Sequence, residues 1–139
     1  MTTLRIEDMT LEDLGKYVVT LPDWRYIPGM VTAKDDVIIE GGRRYFYVHC
    51  IGGLDEYEGE WPVNASHPGT IGGMTELVRR RWNRPGIHTR CIQRPMFPAD
   101  GQETYMEWCV RDDVLNLYGD RYMPTEAHAL ALALAWRLQ

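Results

Sequence analysis

Thr70-Ile71-Gly72-Gly73-Met74-Thr75-Glu76-Leu77-Val78-Arg79-Arg80-Arg81-Trp82 is the run that sets the architecture of this chain. Ile71, Met74, Leu77, Val78 and Trp82 recur at helical spacing, so one side of a helix here is continuously apolar. Such a face needs a sheet or another helix over it. Thr70 or a residue just before it caps this central helix, and Pro85-Gly86 stops it after Trp82.

On the N-terminal side, Thr10 followed by Asp13 marks a helix start, with Leu11, Leu14, Tyr17 and Val18 as its buried stripe and Pro22 beyond its end. Residues 21–30 are bracketed by Pro22 and Pro28 and read as an ordered loop. Three strands follow, at 30–33, 36–40 and 43–51, separated by the turn signals Lys34-Asp35 and Gly41-Gly42. In the third, Arg44, Phe46, Val48 and Cys50 alternate against Tyr45, Tyr47, His49 and Ile51. Both faces are largely apolar, which predicts a strand covered on each side. Residues 52–69 are polar and irregular and read as a long loop.

On the C-terminal side, 87–93 and 104–111 form a second hairpin around a 95–102 loop, with a short strand at 114–118. Thr125 caps the last helix, whose buried stripe is Ala127, Leu130, Ala131, Leu134 and Leu138. The expected fold is therefore one α+β domain over residues 1–139. It has a mostly antiparallel sheet of five or six strands with helices packed on both faces, a three-layer sandwich.

Composition narrows the function classes. Hydrophobic residues at 45% and charged residues at 25% are globular values. No apolar run approaches the roughly 20 residues of a membrane span. The opening Met1-Thr2-Thr3-Leu4-Arg5 is no secretion signal, so a cytoplasmic location in a host cell and no membrane partner are expected. The net charge of -5 argues against bulk nucleic-acid binding. Cys50, Cys91 and Cys109 form no CxxC pair and read as free core residues in strands.

Charge is unevenly spread. Between Leu77 and Ala99 there is no acidic residue, yet Arg79, Arg80, Arg81, Arg84, Arg90 and Arg94 fall there; Asp55, Glu56, Glu58 and Glu60 cluster elsewhere. Arginine forks onto phosphate and stacks on flat rings, which lysine does not. The bland alternative is a solvated helix face.

Catalytic signals are weak. His49, His67, His88 and His128 stand singly, with no metal-ligand spacing, although His49 and His88 could meet by strand pairing. Ser66 is the only serine and lies in no GxSxG, and His49 and Cys50 point to opposite faces of a strand. No catalytic residue, metal or cofactor is expected. Gly69-Thr70-Ile71-Gly72-Gly73 at a helix N-terminus reads either as a phosphate cradle or as glycines needed for turning and close packing. The strongest constellation joins arginines to aromatics: Trp24-Arg25-Tyr26, Arg43-Arg44-Tyr45, Trp61 and Arg81-Trp82. A nucleotide wants rings for its base and guanidinium forks for its phosphates. Tyr45 and Trp82 also serve well as core residues, and core is the stronger reading for Trp82. Trp24 and Trp61, in proline-marked loops, are expected to be partly exposed. The candidate ligand-binding residues are Trp24, Arg25, Tyr26, Arg43, Arg44, Trp61, Thr70 and Arg81.

The loop Asp23-Trp24-Arg25-Tyr26-Ile27-Pro28-Gly29-Met30, the His67-Pro68-Gly69-Thr70-Ile71-Gly72 entry into Leu77-Val78-Arg79-Arg80-Arg81-Trp82, and the closing Pro124-Thr125-Glu126-Ala127 helix carry a resemblance. They resemble small tailed-phage proteins of the phage ABA-sandwich type. Phage proteins of this size and class include anti-Thoeris and anti-CBASS sponges, which sequester cyclic ADP-ribose isomers or cyclic oligonucleotides without cleaving them. By analogy, the resemblance implies a non-enzymatic counter-defence protein, working as a homo-oligomer, that binds a nucleotide-derived signal. The alternative is a protein-binding inhibitor or accessory module that acts through the acidic 55–60 loop and takes no small molecule.

Overall fold

The computed structural model describes residues 5–95, 104–111 and 122–136. A single 3-10 turn at Ile6–Asp8 precedes helix α1, Leu11–Val18. The Thr10 hydroxyl caps α1 by accepting from the Asp13 amide at 3.1 Å, and Leu14 and Val18 are buried. Strands β1 (Ile38–Gly41), β2 (Tyr45–Cys50) and β3 (Gly53–Glu58) follow, then helix α2, Pro68–Trp82. The hairpin β4 (His88–Pro95) and β5 (Thr104–Arg111) and helix α3 (Glu126–Ala135) complete the order. The expected strand at 114–118, Leu138 and most of the 95–102 loop lie outside the described residues.

Helix α2 starts before Thr70. His67 caps it, its Nδ1 accepting from the Gly69 amide at 3.0 Å, and Pro68 supplies a preset φ at the first position. Asn83, at φ 51, ends the helix in the left-handed conformation, two residues before Pro85.

The stretch expected to be a loop contains β3. Gly52 (φ 93) and Gly53 (φ 152) make the reversal after β2, and β3 then runs antiparallel with Tyr47 opposite Glu56. The expected strand at 30–33 is reduced to single bridges, Val31 to Val37 and Thr32 to Val63.

The five strands do not form one sheet. They make a three-stranded sheet, β1-β2-β3, and a separate hairpin, β4-β5, so the three-layer sandwich is not formed. The cause lies in α3. Every residue from Ala127 to Leu134 is buried, and all but His128 are apolar, so this helix needs cover on every side. Helices α1 and α2 and the β4-β5 hairpin each supply one side of it, which draws the hairpin away from β1-β3. Helix α3, not α2, is the centre of the molecule. Strand β3 offers the hairpin little in return, because it carries Asp55, Glu56 and Glu58, all exposed.

Among the described residues, the sheet β1-β3 is covered on one face only. Ile38, Phe46 and Val48 face the core, whereas Tyr45, His49 and Cys50 are exposed. The cover on the inner face is the 21–30 loop. Its Tyr26 ring meets Phe46 at 4.6 Å between centroids, and its backbone bonds Gly42 and Ile38. Cys50 is therefore not a core residue, although Cys109 is. No helix among the described residues is long and apolar enough to cross a membrane.

Candidate functional site

The end of α1 turns sharply, with the Leu21 amide on Val18 and the Trp24 amide on Leu21. That turn drops Trp24 into the core, 1% exposed, and leaves Arg25 outside. The Tyr26 amide bonds the Gly42 carbonyl at 2.8 Å, which ties this loop to the β1-β2 turn carrying Arg43. Leu77, Arg80 and Arg81 arrive from the last turns of α2, on one helix face by their spacing of three and four. The result is a cleft of about 300 Å³ walled by Trp24, Arg25, Arg43, Leu77, Arg80 and Arg81, with Pro22 and Asp23 at its edge.

Charge in this cleft is strongly one-sided. Four arginines face a single carboxylate, Asp23, and Arg81 holds that carboxylate. Arg81 also donates to the Trp136 carbonyl and lies over the Trp82 ring at 5.1 Å, so it clamps the loop, α2 and the end of α3 together. Arg80 pairs with Glu76 along the helix at 3.0 Å, both partners about half exposed, and such a pair contributes little. Arg25 and Arg43 are exposed and make no ion pair among the described residues.

One of the residues lining the cleft, Trp24, carries an unsatisfied donor. The buried Trp24 indole N–H has no acceptor among the described residues, and neither has Arg81 Nε. A buried donor left unpaired costs about 1–3 kcal/mol, so its retention asks for a reason. An acceptor brought in by a ligand would remove that cost.

Four of the eight sequence candidates, Trp24, Arg25, Arg43 and Arg81, thus meet at one site. The other four do not. Tyr26 is buried, and its hydroxyl donates to the Trp61 carbonyl at 2.8 Å. Burial pushes its pKa up to about 12. Thr70 is wholly buried, its hydroxyl donating to the Val31 carbonyl and accepting from the Val31 amide. Arg44 reaches Glu60, at 4.0 Å, beside Tyr45 on another surface. Trp61 is 37% exposed, donates to the Glu58 carbonyl and stands edge-on to Tyr57, away from the cleft.

Two further expectations are corrected. Trp24 is buried, so it leaves no open ring face on which a base could stack. Of the two readings of the 69–73 glycines, close packing holds for Gly69 and Gly73. A Cβ on Gly69 would collide with the Gly29 carbonyl and one on Gly73 with Met30, while His67 already occupies the Gly69 amide. Arg80 was missed as a site residue although its signal was present, since it shares a helix face with Leu77 and Arg81.

Outside the cleft, His49 and His88 lie in different sheets and do not pair. Local desolvation first, and the neighbouring Asp55 carboxylate after it, hold the exposed Cys50 thiol above its ordinary pKa, which disfavours the thiolate. Among the described residues, no three His, Cys, Asp or Glu side chains converge as a metal-ligand set. Comparison with protein-family models, curated proteins and solved structures finds no match to this chain.

Proposed function

We propose that this protein is a non-enzymatic binder that sequesters a nucleotide-derived signal, and that the arginine cleft receives the signal's phosphate. One observation carries the reading: Trp24, whose buried indole N–H has no acceptor among the described residues, lines a cleft together with two uncommitted guanidinium groups. Each guanidinium can fork onto phosphate oxygens, and the indole adds a neutral donor that accepts no proton in exchange. About 300 Å³ is at the small end of ligand sites and suits a phosphate with its sugar better than a whole dinucleotide. The cleft shows no exposed ring, so a second copy of the chain would supply the surface that holds the base. The mechanism is stoichiometric retention, with no bond made or broken. A phage counter-defence setting is the context that the sequence resemblance offers for such an activity.

The test is a thermal-melt panel of cyclic dinucleotides, cyclic trinucleotides, NAD and cyclic ADP-ribose isomers at fixed ionic strength. A ligand at about 100 times its dissociation constant adds about 2.7 kcal/mol. For a chain of this size that raises the midpoint by roughly 5–10 °C. Replacing Arg25 and Arg43 together by Ala removes the shift, whereas Arg44→Ala, outside the cleft, preserves it. A flat panel with protein freed of copurified ligand rejects the proposal.

A further inference from the structure

The face of β1-β3 turned away from the core has no partner among the described residues and is of unusual make-up. Strand alternation and the register put Tyr45, Tyr47, His49 and Leu54 on it together with Glu40, Glu56 and Glu58. Glu40 and Glu56 lie opposite Tyr47 on its two sides, and Glu58 lies opposite Tyr45. Tyr45 is 42% exposed and Leu54 54%. The two tyrosine rings stand edge to face with centroids 6.1 Å apart. Two shallow depressions, of about 350 and 420 Å³, share Tyr45 and Glu56 and so form one groove along the sheet; Arg44 also lines the second, its guanidinium reaching Glu60 at 4.0 Å.

Apolar surface rimmed by polar groups on a sheet with no covering layer is the mark of a docking site. The kind of partner follows from charge. Glu40, Glu56 and Glu58 are paired with no cation among the described residues. The Glu56 carboxylate, first among several causes, holds the Tyr47 hydroxyl above its ordinary pKa, an imprint of the same negative field. A second copy docking face to face would set glutamates against glutamates, which is destabilising. A nucleic acid would be repelled likewise. An arginine suits both halves of the surface, since its guanidinium stacks on a tyrosine ring and forks onto a carboxylate.

We propose that the open face of β1-β3, centred on Tyr45 and Tyr47 and edged by Glu40, Glu56 and Glu58, docks an arginine-rich segment of another protein. It is separate from the arginine cleft and stands or falls independently of it.

The experiment titrates fluorescein-labelled nona-arginine with the full chain and reads fluorescence anisotropy, with nona-lysine in parallel. The double variants Y45S/Y47S and E56Q/E58Q each weaken nona-arginine binding about tenfold or more, and nona-lysine binds more weakly than nona-arginine. The variant E7Q/E12Q changes net charge as much as E56Q/E58Q, at positions away from the sheet, and leaves binding within about twofold. If Y45S/Y47S does not fold, E40Q/E56Q carries the test in its place. Absence of saturable nona-arginine binding overturns the proposal. So does an E7Q/E12Q loss equal to that of E56Q/E58Q, since the attraction would then be bulk charge alone.

Discussion

Tyr26 shows how one side chain fastens the loop that builds the cleft. Its ring lies between Trp24 and Phe46, and its hydroxyl donates to the Trp61 carbonyl. Removing that hydroxyl in Tyr26→Phe costs about 0.5–1.5 kcal/mol in urea melts. Its pKa, raised by burial to about 12 against an ordinary 10.0, gives the sign of the alkaline response. The folded state holds this proton more tightly than the unfolded state, so the contribution is complete below pH 10 and is lost as pH rises from 10 towards 12. Stability followed by urea melts over that window falls in the wild type, and Tyr26→Phe removes that part of the fall. Trp24 separates packing from ligand chemistry. Trp24→Ala empties a core site and costs about 3–5 kcal/mol. Trp24→Phe keeps a ring and deletes the unpaired N–H, so stability without ligand stays near the wild-type value while the ligand-induced melt shift shrinks. Sequence alone marked Trp24 and the arginines because of their chemistry. Burial of Trp24 was hidden, since bracketing prolines announce a loop without saying which of its side chains turns inward.

Among the elements, those with local signals were legible. Thr10, by its spacing from Asp13, and Thr125, between Pro124 and Glu126, cap α1 and α3 as read, and the β4-β5 hairpin lies where its apolar runs placed it. Strand β3 was not legible, because an edge strand with exposed carboxylates shows almost no apolar alternation. Only Tyr57, stacked on Phe46 at 5.3 Å, and the Gly52-Gly53 reversal betray it. The glycines at the start of α2 were ambiguous for a different reason. A glycine required for an anion and a glycine required by a neighbouring backbone are the same letter. The structure gives Gly69 the second role, against the Gly29 carbonyl. Gly69→Ala is therefore expected to cost about 1–3 kcal/mol through overpacking, measured by urea melts. Gly72→Ala, where a Cβ meets nothing, adds helix propensity and is neutral or stabilising.

Across the described residues, the buried α3 explains why five strands became two sheets, and the division of the sheets explains why two surfaces of opposite charge survive. The arginine cleft forms where α2 meets the 21–30 loop, and the acidic, tyrosine-bearing surface is the sheet face that no described element covers. A sequence count of alternating residues on both faces of β2 suggested cover on each side. Half of that pattern lies instead on the face that no described element covers, and apolar alternation alone does not tell a covered face from an open one. The central claim concerns one atom, the Trp24 indole N–H. Its most direct test is an indole ¹⁵N–¹H spectrum of the full chain, with the Trp24 resonance assigned by Trp24→Phe, during titration with cyclic ADP-ribose and a cyclic dinucleotide. A saturable downfield shift of the Trp24 signal, lost when Arg25 and Arg43 are both Ala, is the result predicted. A Trp24 signal that stays in place while both ligands reach millimolar concentration would contradict the account.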